Sequence, residues 1–123
     1  MKKLLFVVAI AACGGGGSGI DTGKKLVSLS SSEVMTECQY IHDQYPARMV
    51  TCGTQTVTIN NQTVAQCVTN LNANITSSPN CTATVGDAEN CIADEEALPD
   101  SAFCMSTAPP ASCAKLSTTE CGG

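Results

Sequence analysis

Apolar positions recur at helical spacing in three segments of the chain, and each segment begins with residues typical of a helix start. In the first segment, Ser30 is the predicted N-cap and Glu33 completes a capping box. Pro46 disfavours helical geometry in the residue before it, so we expect this helix to end near Tyr45. The predicted buried stripe consists of Val34, Cys38, Ile41 and Tyr45.

The second and third segments repeat this arrangement. Asn60 is the predicted N-cap of the second helix. Its predicted buried stripe consists of Val64, Cys67, Val68 and Leu71. In the third helix, Thr84 is the predicted cap, Asp87 closes the capping box and Pro99 ends the helix. Its predicted buried positions are Ala88, Cys91, Ile92 and Leu98.

The remaining segments carry weaker patterns. The stretch 51–59 alternates threonine with apolar residues, which indicates either an extended segment or a simple connection. A short helix is expected around 112–116. Together these patterns predict a mainly α fold, a small disulfide-rich array of three to four short helices.

The first residues have the layout of an export signal. Lys2 and Lys3 precede an unbroken apolar run over residues 4–12, and a polar, glycine-rich stretch follows. Nine apolar residues are too few to cross about 30 Å of hydrocarbon as a helix. We therefore predict a signal peptide over residues 1–12, which is removed on export.

The end of this run, Ile10-Ala11-Ala12-Cys13, resembles the lipobox of bacterial lipoproteins. The resemblance implies cleavage before Cys13 and lipid attachment to its thiol, which would anchor the protein in a membrane. Gly14, in place of an aspartate at that position, implies delivery to the outer membrane or cell surface in the cell envelope. The alternative is ordinary cleavage at Ala9-Ile10-Ala11, which leaves Cys13 as an odd thiol.

The expected organisation follows from these segments. Glycine and serine fill positions 14–19, so residues 13–28 are interpreted as the lipidated cysteine followed by a flexible tether. Residues 29–121 then form the cysteine-rich domain. Four basic and eleven acidic side chains would remain after removal of residues 1–12, which makes nucleic acid an improbable partner.

The cysteines are expected to replace a large apolar core. The chain has no Trp, two Tyr and two Phe, so few bulky side chains are available for packing. Eight cysteines follow Cys13, and an even number in an exported chain predicts four disulfides. They are Cys38, Cys52, Cys67, Cys81, Cys91, Cys104, Cys113 and Cys121. Spacing leaves their connectivity open; the regular spacing of the first six suggests a helix-plus-loop repeat, with each helix cysteine bonded to a neighbouring turn.

Candidate chemistry is sparse. The single histidine, His42, lies one helical turn after Cys38, an arrangement that needs a free thiol for catalysis or zinc binding. Two groups of carboxylates, Glu33 with Glu37 and Asp94 with Glu95 and Glu96, are interpreted as solvated helix faces. The acidic residues from Asp87 to Asp100 are expected to attract calcium or a basic partner only weakly. We therefore predict no catalytic residues, metal site or cofactor.

Beyond the signal, the domain also resembles the small cysteine-rich lipoproteins of deltaproteobacteria of the myxobacterial type. The resemblance rests on the segments 12–17, 84–91 and 109–116, and it implies no activity. Three functions are compared: a non-enzymatic envelope lipoprotein with a structural or protein-interaction role, a small-ligand or lipid-binding module, and a redox enzyme with free thiols. The first is preferred. The second requires a cavity lined by Val34, Ile41, Val64, Val68 and Ile92, and complete disulfide pairing removes the third.

Overall fold

The computed structural model describes residues 17–105 and 107–122. The helices are α1 Ser31–Gln44, α2 Val64–Ser77, α3 Val85–Glu96 and the short α4 Asp100–Phe103. The strands are β1 Arg48–Cys52 and β2 Gln55–Ile59, and short 3-10 helices span Leu26–Ser28, Ala111–Cys113 and Thr119–Cys121. The prediction of a helical array is confirmed in these helices, but a two-stranded sheet accompanies them.

Each of the three long helices begins with a capping box. Ser30 with Glu33 caps α1, and Thr84 with Asp87 caps α3, as predicted. The predicted start of α2 was wrong, because Thr63 with Gln66 supplies the cap three residues after Asn60. Asn60 instead has a φ of 57° and follows the last residue of β2. Asparagine tolerates this left-handed geometry, so Asn60 lies in the turn after β2 and does not cap α2.

The two strands form an antiparallel hairpin between α1 and α2. Their register runs from Arg48 opposite Ile59 to Cys52 opposite Gln55. The extended interpretation of 51–59 is confirmed for 51–52 and 55–59, but a turn at 53–54 divides the stretch between two strands. The two-residue turn contains Gly53 with a φ of 66°, a value that glycine adopts at little cost. Arg48 reaches α4, where it donates a hydrogen bond to Asp100 at 2.8 Å and lies over the Phe103 ring.

Four disulfides join all eight cysteines of the domain. The pairs are Cys38–Cys67, Cys52–Cys104, Cys81–Cys121 and Cys91–Cys113. The suggestion that each helix cysteine bonds to a neighbouring turn was wrong for the first pair, which joins α1 directly to α2. The pairing also does not follow the proposed repeat, since no bond joins the cysteines within a repeat unit.

The core lies where the N-terminal part of the chain meets α1 and α3. Ile20, Leu26 and Leu29 are buried there against Val34 of α1 and Val85 of α3. Ala83, Cys81 and Ala88 complete the buried cluster, and Val68, Leu71 and Ile75 of α2 pack against it. The predicted stripes of all three helices therefore face buried or half-buried surroundings.

Residues 17–28, which we call the N-terminal strap, belong to the folded domain. Backbone hydrogen bonds of 2.9 Å join Leu26 to Ala83 and fasten Thr22 and Lys24 to the start of α3. The predicted tether over residues 13–28 is thus corrected: its described part packs on the domain, because burial of Ile20 and Leu26 offsets the entropy lost on ordering the chain. The predicted signal peptide, Cys13 and residues 14–16 lie outside the described residues.

Gly86 provides a test of strap docking. Its amide donates to the Thr22 carbonyl oxygen, and a Cβ at this position would lie 3.0 Å from that oxygen. We expect Gly86→Ala to lower the free energy of unfolding by about 1 kcal/mol, because the crowding outweighs the better helix propensity of alanine. Trypsin should also cleave the variant faster at Lys24 and Lys25.

Gly23→Ala is the matched control for this substitution. A Cβ at Gly23 has the Asp21 carboxylate at 3.5 Å as its nearest neighbour, an ordinary van der Waals contact. Urea unfolding and limited trypsin digestion of both variants report the comparison. Equal stability and equal digestion rates for the two variants would show that the strap is not held at α3.

Candidate functional site

A glutamate of α3 holds the first described residues of the strap. The Glu89 carboxylate accepts hydrogen bonds from the backbone amides of Gly17 at 3.1 Å and Ser18 at 3.2 Å. It also accepts a bond of 2.6 Å from the Ser18 hydroxyl. Glu89 is 9% exposed, so these donors replace the water that a carboxylate otherwise requires. We call this arrangement the Glu89 clasp.

A second carboxylate, Glu37 of α1, is buried beside the clasp. Glu37 is 1% exposed, and neither of its side-chain oxygens accepts a hydrogen bond from a donor in the described part of the chain. Burial raises the pKa of Glu37 from 4.5 to about 7, the Ser18 hydroxyl offsets part of this effect, and the charge of Glu89 adds to it. A carboxyl group buried beside a negative charge is more stable in its neutral form, so the fold favours protonation of Glu37.

The sequence interpretation of Glu37 was wrong, and that of Glu33 needs refinement. Glu33 is half-buried, and it receives the Lys24 ammonium at 2.7 Å and the Ser30 amide at 2.9 Å. These bonds lower the pKa of Glu33 to about 2. Glu37, by contrast, lies next to Cys38 and three residues after Val34, which places it at the edge of the buried stripe. That spacing is the sequence feature that indicated the burial of Glu37.

An open groove of about 560 Å³ adjoins the clasp between α1 and α3. Gly17 of the strap lies at this groove, together with Tyr40 and Tyr45 of α1 and Asn90 and Ala93 of α3. These are the two tyrosines of the chain. Burial raises the pKa of Tyr40, and the nearby Tyr45, Glu89 and Glu37 raise it further. The groove therefore combines aromatic rings with amide and hydroxyl groups.

The carboxylate pair is placed to hold the strap, not to act on a substrate. Glu37 is too deeply buried to meet a substrate from solution, and both oxygens of Glu89 are occupied by strap donors. Raised pKa values often mark catalytic acids, but they also arise in structural networks. The geometry favours the structural interpretation here.

The thiol-based hypotheses are contradicted by the disulfides. Cys38 is bonded to Cys67, so it offers no thiolate to His42, whose side chain is exposed beside Asp43. Cys91, Glu95 and Cys113 lie within 4.8 Å of one another, but Cys91 and Cys113 are bonded to each other and provide no thiolates for a metal. The eight cysteines from Cys38 to Cys121 are all paired, so none of them is the free thiol that the redox hypothesis requires.

The residues that were expected to line one ligand cavity do not surround a common cavity. Val34 is 1% exposed and packs in the filled core, whereas Ile41 and Ile92 line a separate cleft of about 170 Å³. Another cavity, of about 140 Å³, lies between Leu26, Leu71 and Ile75. Sites for small ligands typically measure about 300–1,000 Å³, so this cavity is small for such a role.

Much of the acidic segment is neutralised by bonds within the domain. Asp87 closes the α3 capping box and has Lys115 at 3.6 Å. Arg48 lies 3.8 Å from Glu96 and 2.8 Å from Asp100, and Asn60 also donates to Glu96. These carboxylates therefore stabilise the packing of the hairpin and the C-terminal segment against α3 and α4.

An uncharged surface is the feature that the sequence interpretation missed. From Met49 to Gly86 the chain contains no Asp, Glu, Lys, Arg or His. On the outer side of α2 this stretch forms an open groove of about 450 Å³, lined by Asn61, Gln62, Ala65, Gln66, Thr69 and Asn70. The run of uncharged residues is visible in the sequence. Its residues form one surface because α2 packs its apolar side against the core.

Comparison with known proteins finds no matching family model, no matching curated protein and no matching solved structure. Within residues 17–105 and 107–122, no helix combines the length and the apolar composition needed to cross a membrane.

The buried carboxylate pair predicts how stability depends on pH. The folded state raises the pKa of Glu37 from 4.5 to about 7, so its proton stabilises the fold fully below pH 4.5 and less as the pH rises through 7. The difference corresponds to about 3 kcal/mol. Glu37→Gln keeps an amide donor for Glu89 and removes the titration, so its free energy of unfolding should lose this dependence.

Urea unfolding at pH 4.5 and at about pH 8 measures the effect. Glu95→Gln is the control, because burial also raises the pKa of Glu95 but Glu95 does not contact the strap. It should keep most of the wild-type dependence. If Glu37→Gln loses as much stability as wild type over this range, Glu37 is not the group that holds the proton.

Proposed function

We propose that the protein is a membrane-anchored, non-enzymatic lipoprotein of the cell envelope with a structural or protein-interaction role. The observation that carries the proposal is the disulfide pairing. The chain has nine cysteines, and eight of them are bonded to one another within the domain. These bonds use every cysteine that follows Cys13, which supports the proposal that Cys13 is set apart for lipid attachment, since an odd thiol is unusual in an exported protein.

Export is supported by the same bonds. Disulfides persist in oxidising compartments outside the cytoplasm and are rare where thiols are kept reduced. Four of them in so short a chain fit a domain whose core contains small aliphatic side chains and no Trp. The signal-like segment 1–12 agrees with this location, and Gly14 after Cys13 favours the outer membrane or the cell surface.

The uncharged side of α2 is the surface that we assign to a protein partner. The central parts of protein interfaces are depleted in Lys, Glu and Asp, because burying charges is costly. Gln66, Thr69 and Asn70 offer donors and acceptors without that cost. The partner itself is unidentified.

The proposal is tested by the intact mass of the protein extracted from membranes of a bacterium that processes lipoproteins. The unreduced sample is treated first with a thiol-alkylating reagent. We expect a chain that starts at Cys13, carries lipid and gains no alkyl group. Cys13→Ser is the control, and it should remove the lipid and the membrane association while leaving the four disulfides in place.

The opposite results have distinct meanings. A lipid-free wild-type chain that is cleaved before Cys13 would contradict the anchor. Two or more alkyl groups on the unreduced chain would contradict the complete pairing and reopen the redox hypothesis.

A further inference from the structure

We infer that the groove beside the strap, lined by Tyr40, Tyr45, Asn90 and Ala93, is the surface of the domain that faces the lipid bilayer. This inference rests on the proposed lipid attachment to Cys13. It names the headgroup region of the bilayer as the occupant of the groove, and it follows from the position of Gly17, which lies close to Cys13 in the sequence.

The length of chain between the anchor and the domain is the first argument. The Glu89 clasp fixes Gly17 at the groove, and only three residues lie between Gly17 and Cys13, so four residue steps join them. A fully extended chain advances at most about 3.6 Å per residue, so the modified cysteine lies within about 14 Å of Gly17. A flexible tether to residue 28 would have left the orientation of the domain free. The docked strap removes that freedom.

The composition of the groove is the second argument. Both tyrosines of a chain without tryptophan lie there, and tyrosine is enriched at the boundary between water and hydrocarbon because its ring is apolar and its hydroxyl is polar. Thr22 and Asn90 add groups that can donate hydrogen bonds to phosphate and glycerol oxygens. Two carboxylates also line the groove, and both have partners within the domain: Glu89 is bonded to the strap and Asp87 lies beside Lys115.

Two alanines provide a matched pair of probes. Ala93 lies on α3 at the groove, and Ala73 lies on α2 outside it; both are exposed and both are helical. Because the chain has no Trp, Ala93→Trp and Ala73→Trp each introduce a single fluorophore. The lipidated full-length variants are placed in phosphatidylcholine vesicles that carry a small fraction of lipid with a dansyl group on its headgroup.

The measurement is energy transfer from tryptophan to dansyl. We expect several-fold more transfer for Ala93→Trp than for Ala73→Trp. Ten Gly/Ser residues inserted between Gly16 and Gly17 should reduce the transfer from Ala93→Trp toward the Ala73→Trp value, since the longer chain no longer holds the groove at the surface. The same ten residues appended after Gly123 should leave the transfer unchanged.

The outcomes separate this inference from the proposed function. The intact mass of each preparation first reports lipid and disulfides. A lipidated chain with equal transfer from both probes, or more from Ala73→Trp, overturns the orientation and leaves the anchor standing. A mature chain without lipid overturns the anchor, and the orientation with it.

Discussion

Several features of the structure depend on the three hydrogen bonds that the Glu89 carboxylate accepts from Gly17 and Ser18. They fasten the start of the strap to the middle of α3, and the strap then supplies Ile20 and Leu26 to the core. They also satisfy a carboxylate that is almost entirely removed from water. Glu37 is buried next to it, so protonation of Glu37 contributes to the stability of the fold. The proposed orientation at the membrane depends on the same contact, because it places Gly17, three residues beyond Gly14, at the groove.

The disulfides supply the restraint that a small aliphatic core lacks. Their partners are 22 to 52 residues apart, so each bond closes a long loop and reduces the freedom of the unfolded chain. Cys38–Cys67 joins two helices, Cys52–Cys104 fastens the hairpin to the end of α4, and Cys81–Cys121 secures the C-terminal segment. These bonds hold surfaces in place that have little apolar contact of their own, above all the hairpin, whose β2 residues are mostly exposed.

Features set by neighbouring residues could be predicted from the sequence, and features set by distant contacts could not. The caps of α1 and α3 were predictable because Ser30 with Glu33 and Thr84 with Asp87 act within one helical turn. The start of α2 was misplaced because Asn60 serves the preceding turn. The disulfide pairing depends on how the helices pack, which spacing along the chain does not determine.

The strap and the clasp belong to the same class of distant contacts. A segment rich in glycine was interpreted as a tether, although Ile20 and Leu26 within it are apolar and are buried in the core. Glu37 was interpreted as solvated because its neighbour Glu89 lies 52 residues later in the chain. Its position at the edge of the α1 stripe indicated burial, but only the tertiary fold shows that Glu89 and the strap residue Ser18 lie near it.

The most direct test of this account is an NMR titration that follows the Glu37 carboxyl carbon together with the Ser18 amide. The account predicts a Glu37 pKa of about 7 and a Ser18 amide whose chemical shift changes over the same pH range, with slow hydrogen exchange on both sides of it. A Glu37 pKa near 4.5, or a Ser18 amide that exchanges as fast as in an unfolded chain, would contradict the clasp and the position of the strap.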